Sequence, residues 1–438
     1  MADFDLIVRN AAGFPFIGIA EGRFAALDGD GTAAREIDAA GMVVLPGLID
    51  AHVHFNEPGR ADWEGFATGS RAAAAGGITT FFDMPLNSHP PTVTAEAFRA
   101  KAALAAEKSL VDFALWGGLV PGHLEDLEAL RDCGAIGLKA FMSGSGIAEF
   151  PSADLQTLRA GMKKAAELGM LVAVHAELDA LHAEGGSTVR EYLASRPVAS
   201  EVAAIVAACE IAGETGCRLH IVHVSSAGGV AAVVQARAAG VDVTCETCPH
   251  YLFFTEEDVE RLGAVAKCAP PIRSQAERDE LRACLRAGEI QTVGTDHSPA
   301  PPSMKEAASF FDVWGGISGV QHLLPILFEL KFSPTQIAQL TAGNVAGRFG
   351  IDQQKGGIAV GLDADLTLFD PARPETVTAD ALHYRHQQSP YGGETFRGSV
   401  QQTLLRGETV WERGKGFSAT RGRLITPQPL VDAPAVVR

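Results

Sequence analysis

The stretch Arg218-Leu-His-Ile-Val-His223, followed by an Ala- and Val-rich segment at 230–239 and then by Val241-Asp-Val-Thr-Cys-Glu-Thr247, reads as strand, helix, strand. Its apolar runs are short and β-branched, and the segment between them carries helical periodicity. The same alternation extends in both directions, from about residue 70 to 290. Strands are expected near 48–54, 79–84, 112–119, 137–141, 171–176, 218–223, 241–247 and 291–296. Helices are expected at 63–75, 95–108, 124–132, 155–168, 202–215, 230–239 and 278–287. Gly76-Gly77 and Gly169 stand where helices should end. Eight strands alternating with helices over about 250 residues predict an α/β chain folded as a (β/α)8 TIM-like barrel. A doubly wound open sheet gives the same alternation, but no GxGxxG or P-loop follows the first strand.

The flanks have a different texture. Short strands are expected at 4–8, 23–27 and 42–45, with a turn at Asp28-Gly-Asp-Gly31, and again over 357–369, 402–406 and 408–411. Two brief β-rich ends predict one small composite β-sandwich, formed by residues 1–49 and 354–438, beside a barrel of residues 50–353. No internal repeat or low-complexity segment is present.

The 438 residues would suit about three domains by length alone. A hydrophobic content of 47% supplies a large core, and a net charge of −17 disfavours nucleic acid and anionic membranes as partners. The N-terminus lacks the basic and apolar regions of a signal peptide, and no apolar run is long enough for a membrane span. Seven scattered cysteines suit reduced thiols in a cytoplasmic protein, and Cys245-Glu-Thr-Cys248 reads as two core cysteines.

Chemistry is signalled first by Asp50-Ala-His52-Val-His54, where two histidines at i and i+2 can face one point. Alone the pair is weak evidence. His175 and His223 close the fifth and sixth expected strands, Asp296 followed by His297 closes the eighth, and Lys139 lies in the fourth among apolar residues. The C-terminal ends of parallel strands share the mouth of a barrel, where such folds place their active sites. A lysine on an apolar strand is driven toward the neutral amine, which reacts with carbon dioxide to give a carbamate able to bridge two cations. A lysine reaching a carboxylate across the barrel is the alternative that spacing leaves open. Six such groups suit two divalent metal ions: His52, His54 and Asp296 on one, His175 and His223 on the other, the lysine carbamate between them. Two cations acidify a shared water and polarise a carbonyl, and Asp296 can pass the proton to a leaving nitrogen. Imidazole-rich donors favour Zn, with Co, Fe, Mn or Ni as alternatives, over Mg or Ca. The implied reaction is hydrolysis of an amide-like bond.

These residues resemble the cyclic amidohydrolases of the amidohydrolase superfamily. The likeness rests on Pro46-Gly-Leu-Ile-Asp-Ala-His-Val-His54, Gly76-Gly-Ile-Thr-Thr80, Gly137-Leu-Lys139, His220-Ile-Val-His-Val-Ser-Ser226, Pro270-Pro-Ile-Arg273 and Asp296-His-Ser-Pro299. It implies a barrel with a composite sandwich, Lys139 as N6-carboxylysine, and a homotetramer. Departures bear on the substrate. Where class I dihydroorotases carry an Arg and a His that clamp a carboxylate, and an Asn before Pro-Pro, this chain has Asn56, Ala300 and Ala269. Where hydantoinases and dihydropyrimidinases place a Tyr after the bridging lysine, it has Gly144. Losing charged clamps favours a small neutral cyclic amide. The segments Glu57-Pro-Gly-Arg60, Asp62-Trp-Glu-Gly-Phe66, Met84-Pro-Leu-Asn87, Lys267-Cys-Ala-Pro-Pro-Ile-Arg273 and Trp314-Gly-Gly-Ile317 are similar to the allantoinase branch, which opens the hydantoin ring of allantoin to allantoate. By that resemblance Asn87, Asn56 and backbone groups near Ala269 and His297 are expected at the substrate, while Arg60 and Trp63 could be packing or rim residues. The intact ligand set argues against a non-catalytic scaffold.

Overall fold

The structure is a computed structural model that describes residues 2–183, 185–419 and 421–428. The expected sandwich residues 429–438 lie outside the described residues. Eight strands form the barrel: β1 Leu48–Val53, β2 Ile78–Asp83, β3 Asp112–Leu115 continuing as Gly117–Gly118, β4 Leu138–Phe141, β5 Leu171–His175, β6 Arg218–Ile221, β7 Val243–Thr247 and β8 Thr292–Val293. Each pairs in parallel with the next. Closure comes from a parallel bridge between Val53 and His297, where the His54 amide donates to the His297 carbonyl at 2.7 Å.

Strand alternation sorts the side chains into two layers. Leu138, Ala140, Val172, Val174, Leu219 and Ile221 pack outward against Leu158, Met162, Ile205 and Val230 of the surrounding helices. Ala114, Trp116, Leu171, Ala173 and Val222 point inward with Phe349, filling the lower barrel. The interior is therefore a packed core with its open end above it. Connecting helices include Phe66–Ala75, Ala95–Lys108, Leu155–Glu167, Val198–Thr215, Ala227–Ala238 and Gln275–Arg286. Side chains of Thr94, Asp154, Ser226 and Ser274 accept from their first-turn amides, as N-caps do. The first of these helices starts at Phe66 rather than 63, because Gly65 takes a left-handed φ of 86°. Among the described residues no helix is long and apolar enough to cross a membrane.

The two ends of the chain make the sandwich. One sheet orders Arg23–Ala26, Phe14–Ala20, Phe4–Ala11 and Ala33–Asp38; the other orders Gly416–Phe417, Glu408–Glu412, Ser399–Leu405, Leu366–Asp370 and Val43–Pro46. Leu6, Val8, Ile17 and Ile19 meet Leu366, Leu368 and Leu404 in one shared core. Two excursions leave it. Residues 384–391 return to the barrel, where Arg385 meets Glu64 and Ser389 meets Ser318. The chain at 422–428 runs along β3, with Ile425 donating to Phe113.

Candidate active site

At the upper end of β1 the register slips: Asp50 pairs with Phe81 but Val53 with Asp83, so three residues span what two span on β2. Such a bulge re-aims the side chains beyond it. Ile49 and Ala51 point into the lower core, and past the bulge His52 and His54 face the same interior. β6 solves the same problem differently. Ile221 faces outward, so alternation would send His223 outward too, but a left-handed φ of 42° turns it to His175. Asp296, at φ 47°, also leaves its strand in this conformation. Non-glycine residues adopt it at a cost of about 1–3 kcal/mol, which is typical of functional positions. It also ends regular pairing earlier than expected, at Ile221 and Val293 instead of 223 and 296.

The six expected groups come together. Asp296 Oδ1 lies 3.2 Å from both His52 Nε2 and His54 Nε2. His175 Nδ1 and His223 Nε2 are 2.9 Å apart, and the His52 and His223 ring centres are 5.4 Å apart, so the two groups are neighbours. Lys139 is fully buried, and its Nζ has no hydrogen-bond partner among the described residues. Burial pushes its pKa down to about 7. The same desolvation holds His54 and His175 below the ordinary imidazole range and His223 well below it, favouring the neutral form that ligates metal. Burial opposes ionisation of Asp296, but the His52 and His54 imidazoles outweigh it and keep the carboxylate anionic.

A second layer orients these side chains. His52 turns Nδ1 to the buried Glu246 at 2.9 Å, leaving Nε2 for the centre. His175 turns Nε2 to Glu177 at 2.9 Å, leaving Nδ1 for it, and Arg196 holds Glu177 through contacts of 3.1 and 2.5 Å. Burial works against Glu246, but the neighbouring His220 and His52 bring its pKa to about 2. Sequence reasoning missed both carboxylates: Glu246 lies 194 residues from His52, whereas Glu177 lies only two from His175 and that spacing could have pointed to it.

Above the cluster opens a cavity of about 420 Å³ whose lining includes Asn87, Ala269, Ser298, Arg196 and Trp314. The Asn87 amide lies 3.4 Å from His54 Nδ1. Two expected substrate contacts, Asn56 and His297, are absent from that lining. Asn56 Nδ2 donates instead to the Pro299 carbonyl at 3.3 Å. The His297 ring is buried in the wall, accepting from the Gly319 amide at 3.1 Å with Glu64 Oε2 at 3.7 Å. The His297 carbonyl serves barrel closure, and its ring packs against Phe55 and Tyr384. Arg60 and Trp63 are rim residues: Arg60 donates to the Asn87 carbonyl at 3.1 Å and lies 5.3 Å over Trp63. Cys245 and Cys248 are both buried core residues.

The comparisons agree with this geometry. The model of the amidohydrolase family matches residues 43–410. An allantoinase of Rubrobacter xylanophilus is 51% identical, covering 98% of this chain and 99% of its own length. One of Deinococcus radiodurans is also 51% identical, over 94% of this chain and 95% of its own. Among solved structures, an L-hydantoinase (dihydropyrimidinase) of Arthrobacter aurescens superposes with a TM-score of 0.92 at 35% identity, covering 97% of this chain and all of that one. Barrel, sandwich, convergent ligand set and near full-length likeness lead to one conclusion, that this chain belongs to the amidohydrolase family.

Proposed function

We propose that this chain hydrolyses the cyclic amide of the hydantoin ring of allantoin, giving allantoate. One observation carries the reading. Five candidate metal-binding side chains converge beside a buried lysine that has no hydrogen-bond partner among the described residues, beneath a cavity sized for a small ring whose lining cations, Arg196 and Lys267, are already engaged. Arg196 lines that cavity, but Glu177 already engages it.

The donor set suits a binuclear centre. His52, His54 and Asp296 would hold one divalent cation, and His175 and His223 the second. Lys139 Nζ, as the neutral amine, would add to carbon dioxide, forming an N–C bond and releasing a proton; the carbamate oxygens then complete both sets. When bound, the pair acidifies water and polarises the scissile carbonyl. Imidazole-rich donors favour Zn, with Co, Fe, Mn or Ni as alternatives.

The side chains do the rest. Asp296 accepts a proton from the attacking water as the C–O bond forms. It then delivers that proton to the ring nitrogen as the C–N bond breaks. Glu246 and Glu177 fix which nitrogens of His52 and His175 face the centre. Asn87, turned into the cavity at a left-handed φ of 67°, contacts the ring. Ala269 brings backbone groups to the same wall. In this reading the working unit is the barrel, about residues 50–353, supported by the sandwich that its two flanks form. A homotetramer follows by analogy with the family, and a cytoplasmic setting from seven unpaired cysteines.

The test is one side-by-side assay of the metal-loaded protein with allantoin, hydantoin and dihydroorotate. Allantoin should give the highest kcat/KM. A hydantoinase is the second reading, favoured by the likeness to the L-hydantoinase structure, and faster hydantoin turnover would install it instead.

A further inference from the structure

We propose that Trp314, held by Lys267 and Lys305, is a specificity-determining residue whose indole forms the wall that meets the ring substituent of the substrate. This rests on the ring-hydrolase reading above and adds which residues read the part of the substrate outside the scissile ring.

The loop after β8 contributes Phe311 to Gly316 to the cavity lining. Loop carbonyls normally face water. Here four of them, within six residues, turn onto two ammonium groups. Lys267 Nζ donates to the carbonyls of Phe311 at 2.8 Å and Val313 at 2.6 Å. Lys305 Nζ donates to those of Trp314 and Gly316, both at 2.8 Å. The rings of Tyr192 and Phe310 stand 4.6 and 5.4 Å from the Lys267 ammonium. Backbone bonds complete the clamp: the Gly316 amide donates to the Lys267 carbonyl at 2.7 Å, and the Trp314 amide to that of Met304 at 2.9 Å. Gly316 sits at φ 146°, and a Cβ there would meet the Ser298 carbonyl oxygen at 2.2 Å, so no larger residue fits. A loop held this way presents its side chains as a rigid wall.

What it presents is the Trp314 indole. That ring packs edge-on against Trp63 at 5.0 Å, and a Cβ on Gly146 of the loop after β4 would touch it at 3.7 Å. Trp63, Lys267 and Trp314 thus come from three separated sequence motifs and meet at one rim. The indole N–H is buried and has no acceptor among the described residues. None of the clamp's hydrogen bonds involves a metal-binding side chain, so these residues act on binding rather than on bond cleavage.

The experiment compares allantoin with unsubstituted hydantoin for wild type, Trp314→Phe and Lys305→Met, with metal content measured on each preparation. Trimming the indole to a phenyl ring, which pulls the wall back from the substituent, should lower kcat/KM for allantoin about tenfold more than for hydantoin, chiefly through KM, at unchanged metal per chain. Lys305→Met should shift the ratio in the same direction, and Lys305→Arg, which still donates two hydrogen bonds, should recover it. An equal loss on both rings, or no change in the ratio for either variant, overturns the proposal. Wild-type turnover alone judges the activity and the variant ratios judge the wall, so the two can fail separately.

Discussion

Lys139 Nζ stands 4.8 Å from the centre of the Phe141 ring, fully buried, with no acceptor for its protons among the described residues. An isolated buried ammonium is too costly to persist, so the amine is neutral or chemically altered. Phe141 itself stacks on His175 at 4.5 Å, which keeps the lysine beside the ligands. Lys139→Ala should therefore fold, lose activity by at least about a thousandfold, and retain less metal per chain. Mass spectrometry of the native protein should find a carbon dioxide adduct that acidification removes. Full activity in Lys139→Ala would sink the carbamate reading.

His175 Nδ1 and His223 Nε2 face each other at 2.9 Å, a pairing that neutral imidazoles hold best around a shared cation. Stripping the protein with a strong chelator should abolish turnover, and Zn or Co should restore it. Metal held at a hundred times its Kd adds about 2.7 kcal/mol, so the stripped protein should also melt earlier. Unchanged activity and Tm after verified metal removal would exclude the binuclear centre.

Glu246 offers a sharper test of ligand orientation. Gly294 leaves it room: a Cβ there would lie 2.6 Å from Glu246 Oε2. Glu246→Gln keeps the shape but weakens the pull on the His52 Nδ1 proton, and such outer partners are worth about 10–100-fold in metal affinity. Gly294→Ala should lower affinity in the same direction by displacing the carboxylate. Chelator competition measures both, and wild-type affinity in both variants would make Glu246 mere packing.

The candidate ligands are legible because five of them close expected strands and Lys139 lies within an apolar one, and strand ends at one barrel mouth share a target. The local devices that aim them are not. The slip between Asp50 and Val53 and the left-handed turn at His223 depend on pairing partners, which no local pattern specifies. Asn56 and His297 show the converse. Their places in familiar motifs suggest substrate contacts, but they do not reveal that the His297 carbonyl closes the barrel or that Asn56 donates to Pro299. The clamp on the rim loop was hidden for a further reason. Lys267 and Lys305 bind carbonyls, which carry no side-chain signature.

His322 makes a pH prediction away from the metal cluster. It is buried against Tyr384, whose hydroxyl lies 3.2 Å from His322 Nδ1, and burial pushes its pKa down to about 3. Unfolded, the imidazole protonates near 6.5, so between those values the unfolded chain binds a proton that the native state refuses. The stability this group supports is complete above pH 6.5 and falls with acidification, by about 1.4 kcal/mol per pH unit inside the window. His322→Gln should flatten the decline between pH 6 and 4 in urea midpoints. Parallel curves for variant and wild type would remove His322 from the acid response.

Lys355 joins the two parts of the fold. Its Nζ contacts Asp112 of β3 at 2.6 Å, and Asp363 and Asp365 at the entry to the sandwich at 2.9 and 2.7 Å. Arg406 also meets Asp112, and Arg23 lies 3.8 Å from Asp363, so three cations serve three buried acids, and Asp365 depends on Lys355. Removing Lys355 leaves the buried Asp365 without its cation, and breaking a buried pair costs about 3–5 kcal/mol. Lys355→Met should therefore lower the urea midpoint markedly, while kcat on the folded fraction holds, because the network touches no ligand of the metal cluster. Lys355→Arg should recover part of the loss, since a guanidinium can still reach two acids. A loss below about 1 kcal/mol in Lys355→Met would mean that water reaches these acids, and that apolar packing alone holds barrel and sandwich together.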